Sequence, residues 1–144
     1  MYTHILIATD GSELAGKAVT TGLALAKTLN AKVTAVNATE PWTAMVAGEA
    51  ALAFPIEEYE KSAAENAAKI LSQVSAAAKK QGVACETVHV MDFPAEAIIE
   101  TAKAKACDLI VMSSHGRRGI ARMLLGSQAT RVLTLSTVPV LICR

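Results

Sequence analysis

Short apolar runs alternate with long helical patterns from one end of this chain to the other. "HILIATD" (His4–Asp10) reads as a strand ending in polar residues, and the stretch from Gly11 to Asn30 is helical, with Ala15, Val19, Leu23, Ala26 and Leu29 near one face. "AKVTAVNA" is a second strand, the segment Pro55–Gly82 a long helix, and "VACETVHVM" alternates as a third strand. "PAEAIIETAKAKA", "DLIVM", "SQATRVLTLS" and "VPVLIC" continue as helix, strand, helix, strand. Between the second strand and the long helix, Thr39–Phe54 holds Pro41, Trp42 and Gly48 without a clear period and reads as a long loop with room for one Ala-rich turn. Strands separated by helices predict an α/β domain, a parallel sheet covered by helices on both faces.

Several helix ends are marked in the sequence. Ser12 is placed to N-cap the first helix. Pro55 suits the first turn of the long helix, acids follow it, and Lys79, Lys80 and Gly82 close it, in accord with the helix dipole and C-cap preferences. Asp92, before Phe93 and Pro94, is expected to cap the next helix.

The 144 residues suit one domain, and nothing resembling a linker or repeat divides them. Hydrophobic residues make up 52% of the chain, yet no apolar run approaches the roughly 18 residues of a membrane span. The opening lacks the basic and long apolar regions of a secretory signal. Cys85, Cys107 and Cys143 form no C-x-x-C pair, so free buried thiols in a reducing cytoplasm are expected rather than disulfides or a metal.

The net charge of +1 conceals an asymmetry: every acid lies at or before Asp108, and every arginine after His115, at 117, 118, 122, 131 and 144. Guanidinium groups match phosphate oxygens bidentately, so the basic end suggests an anionic partner, although a solvated loop and helix face would read the same way. All of these arginines but Arg144 lie in "SSHGRRGIARMLLGSQATRVL", which leaves a strand and runs straight into glycines. Nine residues separate Gly116 from Gly126, and Ser127 opens a helical pattern. Gly116 permits a tight turn, with positive φ if needed. A glycine before a helix start lets phosphate approach backbone N–H groups that lack internal partners. Ser127 offers a hydroxyl, and Arg117 or Arg118 can close over the outside. A plain helix cap at Gly126 is the competing reading. In parallel α/β sheets ligands bind beyond the carboxyl ends of strands where the strand order reverses, and Asp10, Ala38 and Ser113 all stand at such ends.

From "HILIATDGS" through "DLIVMSSHG" and "LLGSQATRVL" to "VPVLICR", the chain resembles the universal stress protein family, single-domain type. Nucleotide-binding members carry G-x2-G-x9-G-[ST]; Gly116, Gly126 and Ser127 match its later positions, while the first glycine is replaced by Ser113. The resemblance implies a Rossmann-like five-stranded parallel sheet in the order 3-2-1-4-5. It also implies a cytoplasmic, ATP-binding regulatory protein, with Mg²⁺ possible alongside the nucleotide, acting through nucleotide-dependent conformation and partner contact. Ala8, Thr9 and Asp10 would lie beside adenine and ribose, with Asp10 on the ribose hydroxyls, and backbone at Ala38 would meet the adenine edge. Met112, Ser113, Ser114, His115, Gly116, Arg117, Arg118, Gly119, Gly126, Ser127 and Gln128 complete the implied site. The usual assembly is a homodimer, here through the apolar final strand Val138–Cys143, whose composition suits cover on both faces.

Other readings have less support. A nucleotide hydrolase lacks a P-loop, paired carboxylates or a base–nucleophile pair here, so hydrolysis would be slow and incidental. A receiver domain needs clustered acids, but the nearest to Asp10 is Glu13. A nucleotide-free interaction protein of the same fold is favoured by Ser113 and opposed by the glycine spacing. Aromatic residues are only 3%, which speaks against nucleic acid. His4 and His89 read as structural, His115 as a phosphate donor or a turn residue, and Trp42 as packing or a pocket flank.

Overall fold

A computed structural model describes residues 1–45, 48, 55–116 and 124–144. Five strands form one sheet: β1 (His4–Ala8), β2 (Lys32–Thr39), β3 (Cys85–Met91), β4 (Leu109–Ser113) and β5 (Val140–Cys143). Their order is β3-β2-β1-β4-β5 and every pairing is parallel, as the family resemblance implies. The helices are α1 (Glu13–Leu29), a short α2 (Trp42–Met45), α3 (Ile56–Gln81), α4 (Pro94–Ala104) and α5 (Ser127–Leu135).

The two central strands explain the layering. β1 and β4 are buried at every position, and successive side chains on a strand point to opposite faces. Ile5, Ile7, Val33, Leu109 and Val111 pack with Ala18, Leu23 and Ala26 of α1 and Ala78 of α3. Leu6, Ala8, Val36, Ile110 and Met112 face the other way, against Ala95, Ile98 and Ala102 of α4 and Ala129 and Val132 of α5. Helices therefore cover both faces, and α4 and α5 share the face that carries the cavity described below.

Ser12 caps α1, its hydroxyl accepting from Ala15 N at 3.2 Å. Gly82 ends α3 in the left-handed region, φ 70° and ψ 27°, as its sequence predicts. Pro55 is the N-cap of α3, one position before its expected place in the first turn. Asp92 does not cap α4. The N-cap is Phe93, Asp92 Oδ1 accepts only the adjacent Phe93 N–H, and Ala95 N donates instead to Gln128 Oε1 at 3.0 Å. The long segment after β2 contains α2, and 46, 47 and 49–54 lie outside the described residues.

The final strand also departs from expectation. It begins at Val140 rather than Val138, and none of its residues is fully covered; Leu141 is 38% exposed. At the sheet edge, β5 pairs only with β4 among the described residues. Cys107 is buried, whereas Cys85 and Cys143 are half-buried, and all three are free thiols. No described helix is long and apolar enough to cross a membrane.

At the amino ends of the strands, His4 Nε2 lies 2.7 Å from Thr34 Oγ1, which donates to Glu86 Oε1, while Lys105 Nζ pairs with Glu86 Oε2 at 3.1 Å. Burial, with Lys32 nearby, holds the His4 pKa below its ordinary value. Hydrogen bonds from Lys105 and Thr34 lower that of Glu86. Burial opposes ionisation of Asp108, but the N–H groups of Thr3 and His4 and the Thr3 hydroxyl donate to its carboxylate and keep its pKa below the usual range. His89 Nε2 lies 2.8 Å from Thr39 Oγ1. Both histidines thus hold strands together far from the carboxyl ends or at the sheet edge.

Candidate functional site

The strand order reverses between β1 and β4, and both chains leave the sheet there in opposite directions. Thr9 N donates to Val36 O at 3.0 Å, and Asn37 Nδ2 donates to Thr9 O at 2.9 Å, so the end of β1 is held against β2. The chain then turns through Gly11 at φ 80°, with Asp10 Oδ1 accepting from Ser12 N at 2.9 Å. This turn carries Ala8, Thr9 and Asp10 to the rim of a cavity of about 420 Å³.

β2 runs past the end of β1. Because Val36 O faces β1, Ala38 two residues later presents its backbone groups in the same direction, where β1 has already turned away. Ala38 lines the cavity with that open backbone.

β4 supplies the opposite wall. Ser114 N donates to Cys143 O at 2.8 Å, and Ser114 O accepts from Gly126 N at 2.7 Å, which pins the strand end between β5 and the start of α5. Ser113 Oγ donates to His115 O at 2.8 Å, and His115 Nδ1 lies 3.0 Å from Ser114 Oγ. Met112, Ser113, Ser114, His115 and Gly116 all border the cavity.

The glycines act through close approach. A Cβ on Gly116 would stand 3.2 Å from Asp10 Oδ2, so the absent side chain lets the two strand ends meet. Gly116 does not use the positive φ that its place in a turn allows. A Cβ on Gly126 would reach 3.1 Å from Ser114 O and 3.4 Å from His115 Cα. The glycine there seats α5 against the β4 end, rather than merely clearing room for a ligand. Gly126 is the N-cap of α5, makes no side-chain cap, and is followed by a first turn without acids. Ser127, Gln128 and Ala129 line the cavity and carry N–H groups that an α-helix leaves without internal partners. Arg117, Arg118 and Gly119 lie outside the described residues.

The fourth side is apolar and was not expected from the sequence. Pro94 and Ile98 of α4 line the cavity with Val36 and Met112. Their signals were local: Val36 is two residues before Ala38 on the same strand, and Ile98 is one helical turn beyond Pro94. Trp42 lies elsewhere, at the start of α2, and does not line the cavity. Among the described lining residues, Asp10 is the one carboxylate and His115 the one imidazole, and no cluster of acids, histidines or cysteines could hold a metal ion.

The universal stress protein family profile matches residues 1–144, the entire chain. This chain belongs to the universal stress protein family. The Bacillus subtilis universal stress protein YxiE is 32% identical over 148 residues, with the whole of both chains aligned. Among solved structures, the hypothetical protein MJ0577 of Methanocaldococcus jannaschii superposes with a TM-score of 0.86 at 28% identity, covering 99% of this chain and 96% of that one. A universal stress protein in complex with cAMP superposes at 0.72 with 27% identity, over 99% and 97% of the two chains. Those likenesses cover nearly the whole chain, and with it the fold that carries the cavity.

Proposed function

We infer that this universal stress protein is a single-domain, ATP-binding regulatory protein of the cytoplasm. It works as a homodimer and signals through nucleotide-dependent conformation rather than through catalysis. The observation that carries the reading is the convergence of Asp10, Ala38, Gly116 and Gly126 on one cavity at the point of strand-order reversal. Its volume of about 420 Å³ falls within the range of ligand pockets, ~300–1,000 Å³.

The residues present fit an adenine nucleotide. The apolar slot between Val36, Ile98 and Met112 suits a base, and the open backbone of Ala38 offers hydrogen bonds to its edge. The Asp10 carboxylate suits ribose hydroxyls. The start of α5, with partial positive charge on its N–H groups, suits phosphates, and Mg²⁺ would be carried mainly by those phosphates and water. The cAMP complex of a relative supports the choice of adenine nucleotides as the ligand class. A lone carboxylate in the described lining supports binding over hydrolysis. Free thiols suit a reducing cytoplasm. For the dimer, the support is the edge position of β5 and the exposure of Leu141 on it, because unpaired apolar edges invite a second chain.

Titration calorimetry with ATP tests the reading. Wild type should bind, and Asp10→Ala should lose on the order of tenfold to a hundredfold, the equivalent of a charge-assisted pair worth about 1.5–3 kcal/mol. The loss should be much smaller for 2′,3′-dideoxy-ATP, which lacks the hydroxyls. Absence of binding by the folded wild type would overturn the reading, and equal losses for both ligands would make Asp10 a brace for the β1–α1 turn.

A further inference from the structure

Helix α4 forms part of the cavity wall but does not cap itself. Its N-cap, Phe93, has no side-chain acceptor, and Pro94 after it has no N–H. The first backbone donor of the helix is therefore Ala95 N, on a residue whose exposure is 0%. The nearby Asp92 carboxylate does not serve it, because Asp92 Oδ1 accepts from Phe93 N at 2.8 Å. The acceptor is Gln128 Oε1 at 3.0 Å, supplied by α5 from 33 residues away. Gln128 itself lines the cavity, as do Pro94 and Ile98. One side chain thus joins two of the elements that border the site.

Other contacts between these helices hold them less specifically. Arg131 Nε donates to Glu96 Oε1 at 2.6 Å, but the Arg131 side chain is 55% exposed, and ion pairs so open to water contribute little. Ala95 and Ile98 share an apolar cluster with Ala129 and Val132, which keeps the helices together but is not directional. Only the Gln128 bond fixes the place of Ala95 N, and so of Pro94, to which Ala95 is covalently joined.

We propose that Gln128 is a positioning residue for base recognition: by holding Ala95 N it fixes Pro94 in the cavity wall, and with it the size of base that the cavity accepts. This deepens the adenine-nucleotide reading and rests on it. Without an acceptor at 128, a buried N–H loses its partner, and the first turn of α4 shifts to find water or another acceptor. The proline ring is rigid, so the wall it forms moves with the backbone. A brace that served stability alone would weaken every ligand alike, whereas a residue that sets the slot changes how ligands rank by size.

The experiment is titration calorimetry of ATP, 2-chloro-ATP and 8-bromo-ATP with wild type, Gln128→Met and Gln128→Glu. Methionine keeps the length of the side chain without its oxygen, and glutamate keeps an acceptor of a charge favoured at a helix start. Wild type should prefer ATP to at least one enlarged base by about tenfold or more, the usual scale for a group that a pocket does not fit. In Gln128→Met that preference should shrink by about tenfold, the equivalent of one orphaned buried donor. Gln128→Glu should restore it, since repulsion of the phosphates by the carboxylate is common to the three ligands and cancels in the ratio. Melting curves establish that each variant is folded, and Gln128→Asn, too short to reach Ala95, carries the test if methionine is not tolerated. If wild type binds none of the three, the nucleotide reading falls and this inference with it. If wild type binds ATP, two results overturn the role of Gln128 alone: indifference of wild type to both enlarged bases, or wild-type ratios in Gln128→Met.

Discussion

Gly126 offers a test of how the site is built, because the structure fixes both the sign and the scale of a single added methyl. In Gly126→Ala the new Cβ would stand 3.1 Å from Ser114 O and 3.4 Å from His115 Cα. Both are backbone atoms. Ser114 cannot withdraw cheaply, since its N–H is bonded to Cys143 O at 2.8 Å and its carbonyl accepts Gly126 N itself at 2.7 Å. The strain falls instead on the first turn of α5. Overpacking by one methyl in a tight site costs about 1–3 kcal/mol, and alanine is also a poorer N-cap than glycine by several tenths. A total of about 2 kcal/mol corresponds to a fall in Tm of roughly 4–8 °C for a chain of this size.

The control is Gly16→Ala. Gly16 lies within α1, is exposed, and has nothing within 4 Å of an added Cβ. That change should stabilise by about 0.5–1 kcal/mol, since glycine inside a helix costs that much relative to alanine. Thermal melts followed by circular dichroism would therefore move in opposite directions for two chemically identical substitutions. ATP affinity should fall with Gly126→Ala and stay unchanged with Gly16→Ala. A Gly126→Ala protein as stable as wild type would refute the claim that this glycine seats α5 on the end of β4.

Acid should weaken the fold in two stages. Burial lowers the pKa of His4 and His89 from their ordinary 6.5, so the stability they contribute is present above that value and declines as pH falls below it. Glu86 and Asp108 are lowered from 4.5 and 3.8, so their contribution is lost only at lower pH still, as each carboxylate is protonated in the folded chain. Tm measured against pH should accordingly slope down from about 6.5 and steepen near and below 4.5; a flat profile across neutrality to pH 5 would refute the first stage. At the other edge, Leu141→Lys should halve the mass that light scattering reports for wild type at micromolar concentration, and a monomeric wild type would remove the dimer.

The strands were legible because period and burial agree. Runs such as "HILIA" and "LIVMS" are buried at every position, and only a covered parallel sheet accommodates that. Their order was not legible from pattern, since alternation says nothing about which side of β1 receives β4; that came through family resemblance. The start of β5 was misjudged because Pro139 sits in an apolar run, yet it has no N–H and joins the ladder only through its carbonyl, which accepts Ile110 N at 3.0 Å. The cap of α4 was misjudged for a different reason. Asp92 is adjacent in sequence, while the side chain that does the work, Gln128, lies 33 residues from Ala95. At the glycines the spacing was visible, but the atoms a Cβ would meet belong to other elements.

The Gln128–Ala95 bond also determines which groups a ligand can meet. Gln128 Oε1 caps α4, and one turn further Arg131 Nε donates to Glu96 Oε1 at 2.6 Å, so the first turns of α4 and α5 are tied together beside the cavity. The Gln128 side-chain oxygen is thereby directed at α4, while its residue still lines the cavity. At Ala38 open backbone faces the cavity, and Gly116 and Gly126 have no side chain. Contacts made by backbone depend on where strand and helix ends are held rather than on residue type. The consequences are concentrated in Asp10 and His115, the titratable side chains in the described lining, and in the glycines that let those ends approach. Ser113 fits this pattern despite replacing a glycine of the family motif. Its hydroxyl is engaged by His115 O within the loop, so it serves to fix the turn that presents His115.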